Sequence, residues 1–433
     1  MSRHDTIFAK ATGAGVAAIS IIRLSGPQSW SVVAGLTRTN LPHPRIVSRR
    51  WIYSSDEVPL DEVLILLFED GASFTGEQSA EIHCHGGRAV ENAILAELGN
   101  ETGCRLAEPG EFTRRAFDAG RIGLNEAEGL ADLLRSETEF QRRHALRVFS
   151  GAASDRLEKF RANLVRARAL LEATIDWADE DVPEEVSPEA RTLLDSVLSG
   201  IDEDILRFGR TERLRNGFEV AILGAPNVGK SSLLNAIAGR DVALTSETAG
   251  TTRDIIELRC DLGGLPVVFL DTAGIRDAYD SVESAGIERA IQRADSADLR
   301  IFLSANDDGS YPNSLYRNGD LLVRSKCDLG SSEGVLNVSS INGEGIDDLL
   351  DQVSSKLSVL TGSIGSFGHE RQIASLEGAR GWVLQARDEL GSVDVEVLAE
   401  HLRLALADLD SLSGRTAIED VLGEVFSTFC LGK

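Results

Sequence analysis

A chain of 433 residues with 42% hydrophobic content carries enough apolar surface for more than one packed domain. Its 69 acidic residues outweigh 44 basic ones, and a formal net charge of −25 excludes a surface that wraps nucleic acid as a whole. The sequence has no apolar run long enough to span a bilayer, no signal-peptide pattern and only 5 scattered cysteines, so the expectation is a cytoplasmic protein with no membrane partner.

Residues 1–118 mix short β-like runs, 17–24, 63–68 and 80–84, with glycine turns, which predicts an α/β domain. On a strand, His83 and His85 share a face with Cys84 opposite. The stretch therefore lacks three convergent metal ligands, and two structural histidines are expected. Cys84, Cys104, Cys260 and Cys327 show no CxxC spacing and are expected to pack.

Over 119–212 the pattern turns helical, with Leu157, Phe160, Leu164, Ala167 and Leu171 at three- and four-residue steps on one face. Leu398, Leu402, Ala405 and Leu409 repeat that spacing near the other end of the chain. Neither block reads as a complete domain. The economical reading is one discontinuous helical domain, 119–212 and 357–433, with a module of residues 213–356 inserted in it. The acidic stretch 176–189, with Pro183 and Pro188, reads as a solvated connection.

The inserted module carries the clearest chemistry. An apolar run over 218–223 precedes Gly224-Ala225-Pro226-Asn227-Val228-Gly229-Lys230-Ser231-Ser232, and a helical pattern begins at Leu233. This is GxxxxGKS/T in its setting of strand, turn and helix. The glycines let backbone N–H groups face phosphate oxygens, Lys230 supplies charge to the β- and γ-phosphates, and Ser231 is placed to ligate Mg²⁺. A second buried run, 267–270, ends in Asp271-Thr272-Ala273-Gly274, where Asp271 can hold the metal through water and the Gly274 N–H can meet the γ-phosphate. Between them lies the polar segment Ser246, Glu247, Thr248, Ala249, Gly250, Thr251 and Thr252, in which one threonine, taken as Thr252, can reach Mg²⁺ only while the γ-phosphate is present.

The run 321–324 ends in Ser325-Lys326-Cys327-Asp328, similar to the Asn/Thr-Lys-x-Asp guanine reader of GTPases. A carboxylate at Asp328 can accept from both the N1–H and the 2-amino group of guanine, an edge adenine lacks. Ser325 departs from the usual Asn or Thr, which predicts one weaker supporting contact near the base. The next loop, Val338-Ser339-Ser340, departs from the usual Ser-Ala. The expected fold is a multidomain α/β plus α protein, with a Ras-like P-loop GTPase domain that binds GTP through Asn227, Val228, Gly229, Lys230, Ser231, Ser232, Lys326 and Asp328.

Several further stretches are specific. The chain contains Asp5-Thr6-Ile7, Ile22-Arg23-Leu24-Ser25-Gly26, Ser73-Phe74-Thr75-Gly76-Glu77, Glu81-Ile82-His83-Cys84-His85-Gly86-Gly87 and Glu108-Pro109-Gly110-Glu111-Phe112-Thr113-Arg114-Arg115-Ala116-Phe117, and closes on Cys430-Leu431-Gly432-Lys433. Together with an inserted GTPase module, these resemble the MnmE (TrmE) family of tRNA modification GTPases from end to end.

The resemblance implies homodimers formed through the N-terminal domain, which carries a tetrahydrofolate site (5,10-methylene or 5-formyl form). It also implies an MnmG partner bearing FAD, in a heterotetramer. Together the two install an aminomethyl or carboxymethylaminomethyl group on C5 of the wobble uridine of certain tRNAs. The implied folate contacts are Arg23, Glu81, Arg121 and Lys433. Arginines and lysine can pair with a glutamyl tail, and a carboxylate can accept from a pterin amine. Without the resemblance, Arg23 reads as a surface ion pair.

In hydrolysis, Ile275 stands where many small GTPases carry a water-orienting glutamine, and Glu283 is the family-matched substitute. No arginine finger is evident. The resemblance implies instead a K⁺ ion held by Asn227, with oxygens near Ser246, Thr248 and Thr251, when two GTPase modules meet. Cys430 fits a prenylation pattern poorly. It reads either as a packing cysteine or as a reactive thiol near the folate and the uracil, activated by a cation such as Lys433.

Arg142, Arg143, Arg147, Arg156, Lys159, Arg161, Arg166 and Arg168 form a locally basic stretch and a candidate tRNA face. A regulatory GTP switch of the ribosome-assembly type, with no group transferred, is the alternative function class.

Overall fold

The computed structural model describes residues 5–176, 186–244, 257–271, 292–305, 316–331, 334–362, 364–416, 419–429 and 432. It divides into two compact units, Met1–Ala131 with Asp410–Lys433, and Asp132–Leu409. Among the described residues no helix is long and apolar enough to cross a membrane.

The first unit is built on a six-stranded sheet. Its strands are β1 (Thr6–Lys10), β2 (Ala17–Ser25), β3 (Ser48–Tyr53), β4 (Pro59–Phe68), β5 (Ser79–Gly86) and β6 (Cys104–Leu106), in the order β3-β4-β5-β2-β1-β6. All neighbours are antiparallel except β1 and β6. Strand alternation sorts the residues by face. Phe8, Ile22, Leu24, Ile65, Leu67 and Ile82 point to a core closed by α1 (Ser29–Thr37) and α2 (Arg88–Asn100), which contribute Val33, Leu36, Ile94 and Leu98. The opposite face is covered only in part. Ile7 and Ala9 meet Ala107, Phe112 and Phe74, with Phe112 on α3 (Glu111–Asp118), whereas Trp51, Leu64 and Ile19 are exposed. The predicted runs correspond to β2, β4 and β5; β1, β3 and β6 carried too weak an alternation to be read.

The helix α4 (Leu124–Arg135) leads from this unit into the second. Residues 410–433 pack with the N-terminal sheet. The cause is aromatic packing by α12 (Glu419–Ser427), the last helix of the chain. Phe426 lies 5.9 Å from the Phe117 ring and under the Arg114 guanidinium, and Arg114 pairs with Glu419 at 2.8 Å. Gly110 and Gly432, both at positive φ, permit the close approach. A Cβ on either would strike the carbonyl O of Phe426 or of Lys10, at 2.1 and 2.2 Å.

In the second unit, α5 (Glu139–Phe149), α6 (Ala152–Asp176) and α7 (Val186–Asn216) precede the other sheet. On α6 the predicted face Leu157, Phe160, Leu164, Ala167 and Leu171 is buried throughout. The stretch read as a connection is helical to Asp176 and again from Val186. Pro188 falls in the first turn of α7, where its missing N–H leaves no hydrogen bond unmade.

The sheet comprises β7 (Phe218–Leu223), β8 (Glu257–Leu262), β9 (Leu265–Asp271), β10 (Leu299–Ser304), β11 (Leu321–Arg324) and β12 (Leu336–Asn337). Its order is β12-β11-β10-β7-β9-β8, with only β8 antiparallel. α8 (Lys230–Ala238) and α9 (Ile346–Ser358) close one face over Val220, Ile222, Phe269, Ile301 and Val323. Both faces being covered, β9 and β10 are buried at every position, as their unbroken apolar runs require. After this sheet come α10 (Glu370–Asp388) and α11 (Val395–Ser413), the latter burying Leu398, Leu402, Ala405 and Leu409.

Candidate functional site

β7 lies between β10 and β9, so the loop after it opens at a reversal of strand order, where parallel α/β sheets bind ligands. That loop is shaped by backbone. Gly224 packs so closely that a Cβ would sit 2.4 Å from the Leu303 carbonyl O, while Asn227 and Gly229 hold φ of 63° and 105°. α8 starts at Lys230, three residues before the predicted Leu233, because Lys230 to Ser232 form its first turn. The free N–H groups of that turn are therefore part of the phosphate motif itself.

Lys230 Nζ donates to the carbonyls of Gly224 and Ala225, at 2.8 and 3.1 Å, spanning the loop that it would share with phosphates. Ser231 Oγ donates to Asp271 Oδ2 at 2.9 Å, and Asp271 is buried at the end of β9. This pair of hard oxygen donors is of the type that Mg²⁺ takes. Thr252, the other expected ligand, lies outside the described residues, as do Ser246, Glu247, Thr248, Ala249, Gly250, Thr251, Thr272, Ala273, Gly274 and Glu283.

The base-reading loop is bound to the phosphate loop. Ser325, where a weaker supporting contact near the base is expected, is buried and donates its hydroxyl to the Val228 carbonyl at 2.6 Å. Lys326, at φ 59°, donates from Nζ to the Asn227 carbonyl at 3.0 Å. Asp328 Oδ1 accepts from the Ser339 hydroxyl at 2.7 Å, a contact the sequence reading missed, so the Val338-Ser339-Ser340 loop orients the carboxylate. Nothing in the spacing alone marks Ser339; only its place at the tip of β12 does.

A second site lies on the open face of the N-terminal sheet. β2 and β5 register Arg23 against Glu81, and the Arg23 Nε and Nη2 both donate to Glu81 Oε1, at 3.1 and 3.0 Å. The pair lines a cavity of about 230 Å³ with Phe68, Ser73, Phe74, Thr75 and Ser79. Arg23 also stacks over the Phe112 ring. Arg121 does not line this cavity; its Nη1 donates to the Gly71 carbonyl at 2.7 Å, behind the same 71–76 loop. Cys430 and Lys433 lie outside the described residues. Gly432 packs on the Lys10 carbonyl, and Lys10 registers with Ile22, next to Arg23.

The motif residues around the cavity are its frame. Glu77 accepts from Ser25 Oγ at 2.7 Å and from Arg115 Nη1 at 2.9 Å, while Arg115 and Arg105 both bind Glu111. Burial opposes the Glu111 charge, but Arg105, the Glu108 N–H and Arg115 together hold its carboxyl below the usual range.

The histidines behave as structural groups. His83 meets Glu81 at 3.3 Å and His85 meets Asp61 at 2.8 Å, and no metal-ligating cluster exists among the described residues. Burial pushes the Cys84 thiol up to about 11 and Cys260 to about 12, so both stay protonated packing groups. The basic stretch is largely neutralised. Arg142 and Arg143 pair with Glu139, Arg156 with Glu203 and Asp204, Arg161 with Glu158, Arg166 with Glu189 and Arg168 with Glu172. Arg147 donates to the Gly365 carbonyl.

Comparison with known proteins gives the family. The model of the MnmE helical domain matches residues 124–430, and that of the GTP-binding protein TrmE N-terminus matches 6–121. The chain is 51% identical over 431 residues to the tRNA modification GTPase MnmE of Cereibacter sphaeroides, covering 99% of this chain and 100% of the relative. The chain belongs to the MnmE family. The MnmE of Caulobacter vibrioides is 43% identical over 449 residues, with the same coverage of both chains. Among solved structures, the G domain of the T. maritima FeoB iron transporter covers 32% of this chain and 98% of its own at 26% identity. Its TM-score of 0.23 is too low to carry an argument.

Proposed function

We propose that this GTPase of the MnmE family spends GTP hydrolysis on tRNA modification. With a FAD-bearing MnmG-like partner it would add an aminomethyl or carboxymethylaminomethyl group to C5 of the wobble uridine, using a one-carbon unit from tetrahydrofolate. The observation that carries the GTP half is the convergence of Lys230, Ser231 and Asp271 at the C-terminal ends of β7 and β9. Lys230 would exchange its loop carbonyls for phosphate oxygens, Ser231 and Thr252 would hold Mg²⁺ with Asp271 acting through water, and Asp328 would select guanine. The metal neutralises phosphate charge when bound. Asn227, with Ser246, Thr248 and Thr251, would hold K⁺, which supplies the charge that an arginine finger gives elsewhere. Glu283 would orient the attacking water.

The folate half is supported by the cavity walled by Arg23 and Glu81, and by the C-terminal Gly432 seated on β1, two residues from Cys430. Arg121 and Lys433 would serve the glutamyl tail. Exposed Trp51, Leu64 and Ile19 on the open sheet face support homodimer formation through this domain. The neutralised basic stretch supports a division of labour in which the partner supplies much of the tRNA-binding charge. We read the domains as 1–118, the helical parts 119–212 and 357–433, and the inserted GTPase of 213–356, working in the cytoplasm.

Two variants measured three ways test the coupling. Glu283→Ala should lose GTP turnover and wobble-uridine modification but keep folate. Cys430→Ser should keep turnover and lose modification. Normal modification by Glu283→Ala would separate hydrolysis from the chemistry and favour the regulatory switch.

A further inference from the structure

Ser325 occupies the first position of the base-reading motif, where Asn or Thr is usual, and it is 4% exposed. Its Oγ lies 2.6 Å from the Val228 carbonyl O and 3.2 Å from the Ser304 carbonyl O. Carbonyl oxygens only accept, so the single hydroxyl proton is donated between these two. The Ser325 N–H is also spent, on the Ser304 carbonyl at 2.8 Å. Both donors of this residue thus face protein, and they fasten the end of β11 to the phosphate loop.

That commitment bears on how the base is read. Guanine presents donors at N1 and the 2-amino group, which suit Asp328, but only acceptors at N7 and O6. An asparagine amide carries two N–H donors, so one can tie the loop while the other serves the base. A serine hydroxyl has one. With its proton given to Val228, Ser325 offers guanine only lone pairs, and lone pairs do not bind N7 or O6.

We infer that Ser325 is a positioning residue that seats the phosphate loop through Val228 and leaves guanine N7 unread, so that base selection falls on Asp328. The inference rests on reading the module as a GTP site. The test is equilibrium binding of GTP, 7-deaza-GTP (C–H in place of N7) and ATP to the full chain and its Ser325→Ala, Ser325→Thr and Ser325→Asn variants. The unmodified protein should bind GTP and 7-deaza-GTP equally. Ser325→Ala should weaken both by about fivefold, the worth of one buried hydrogen bond, with their ratio unchanged. Ser325→Thr keeps the hydroxyl and should restore affinity for both. Ser325→Asn should acquire a preference for GTP over 7-deaza-GTP. The ratio is independent of how much of a variant is folded. A tenfold or greater preference of the unmodified protein for GTP over 7-deaza-GTP, on the order of 1.4 kcal/mol, would overturn the inference. Undiminished affinity in Ser325→Ala would overturn the positioning role. ATP binding as tightly as GTP would overturn the guanine reading itself, a failure distinct from either.

Discussion

The two sites of this protein are built by opposite means. Around the phosphate loop the backbone does most of the shaping: Gly224, Asn227 and Gly229 set the curve, and Ser325, Lys326 and Lys230 donate to its carbonyls. Around the N-terminal cavity the shaping comes from charged side chains, Arg23 with Glu81 and Arg115 with Glu77 across long sequence separations, and Glu111 with Arg115 and Arg105 close by in sequence. A backbone-made site survives loss of a side chain as a shape but loses its chemistry. A side-chain-made site loses its shape when one partner goes.

The largest expected contrast is at Lys230. Lys230→Ala should lower GTP turnover by at least about a hundredfold, as removal of a transition-state donor does, with little change in melting temperature. Its described bonds are to loop carbonyls at the rim. A turnover loss below tenfold would break the comparison at its stronger end.

Glu111→Gln should do the reverse. The carboxylate is buried between two guanidiniums, and removing its charge strands both, at a cost of about 3 kcal/mol in denaturant unfolding with GTP turnover retained. The pH dependence follows from the direction of its shift. Because Arg105 and its neighbours hold the folded carboxyl low, its contribution is present above the unfolded pKa, near about 4.3, and is lost as pH falls through the folded value. Acid unfolding of the variant below about pH 4 should therefore be less steep than that of the parent.

The same contrast decides what was legible beforehand. The phosphate loop, Asp271 and Asp328 could be placed from spacing, because a glycine turn between an apolar strand and a helix is a local signal. Arg23 and Glu81 could not, since 58 residues separate them and only the register of β2 on β5 brings them together. Their motifs were recognisable only through resemblance to a family. The tie of Ser325 to the phosphate loop was not legible because its partner, the Val228 carbonyl, lies 97 residues away and is backbone, which no side-chain pattern advertises. The C-terminal helix was assigned by period to the helical part. The contact of Phe426 with Phe117 was not legible there, since helical spacing says nothing about which surface a helix meets.

At the cavity, Arg23→Gln and Glu81→Gln should each reduce the reduced-folate content of the purified protein, by about tenfold, and leave GTP turnover at the parental rate. Since each arm holds the other, the double variant should be little worse than either single one. Additive losses would mean that the two residues touch ligand independently, and that the ion pair is not the unit of the site.

The smallest effect sharpens the comparison from the backbone side. Asn227 sits at φ 63°, a conformation that costs most non-glycine residues roughly 1 kcal/mol or more and that asparagine tolerates. Its side chain is the expected K⁺ ligand, so backbone shape and ion binding meet in one residue. Turnover should be several-fold faster in K⁺ than in Na⁺ for the parent, the scale of one modest electrostatic contact. Asn227→Ala and Asn227→Gly should both erase that preference, but only the alanine should also weaken GTP binding, because glycine keeps the left-handed turn without strain. Rates that are equal in the two salts for the parent would remove the ion from the mechanism. A preference that persists in Asn227→Gly would show that the loop carbonyls, not the asparagine side chain, hold the ion.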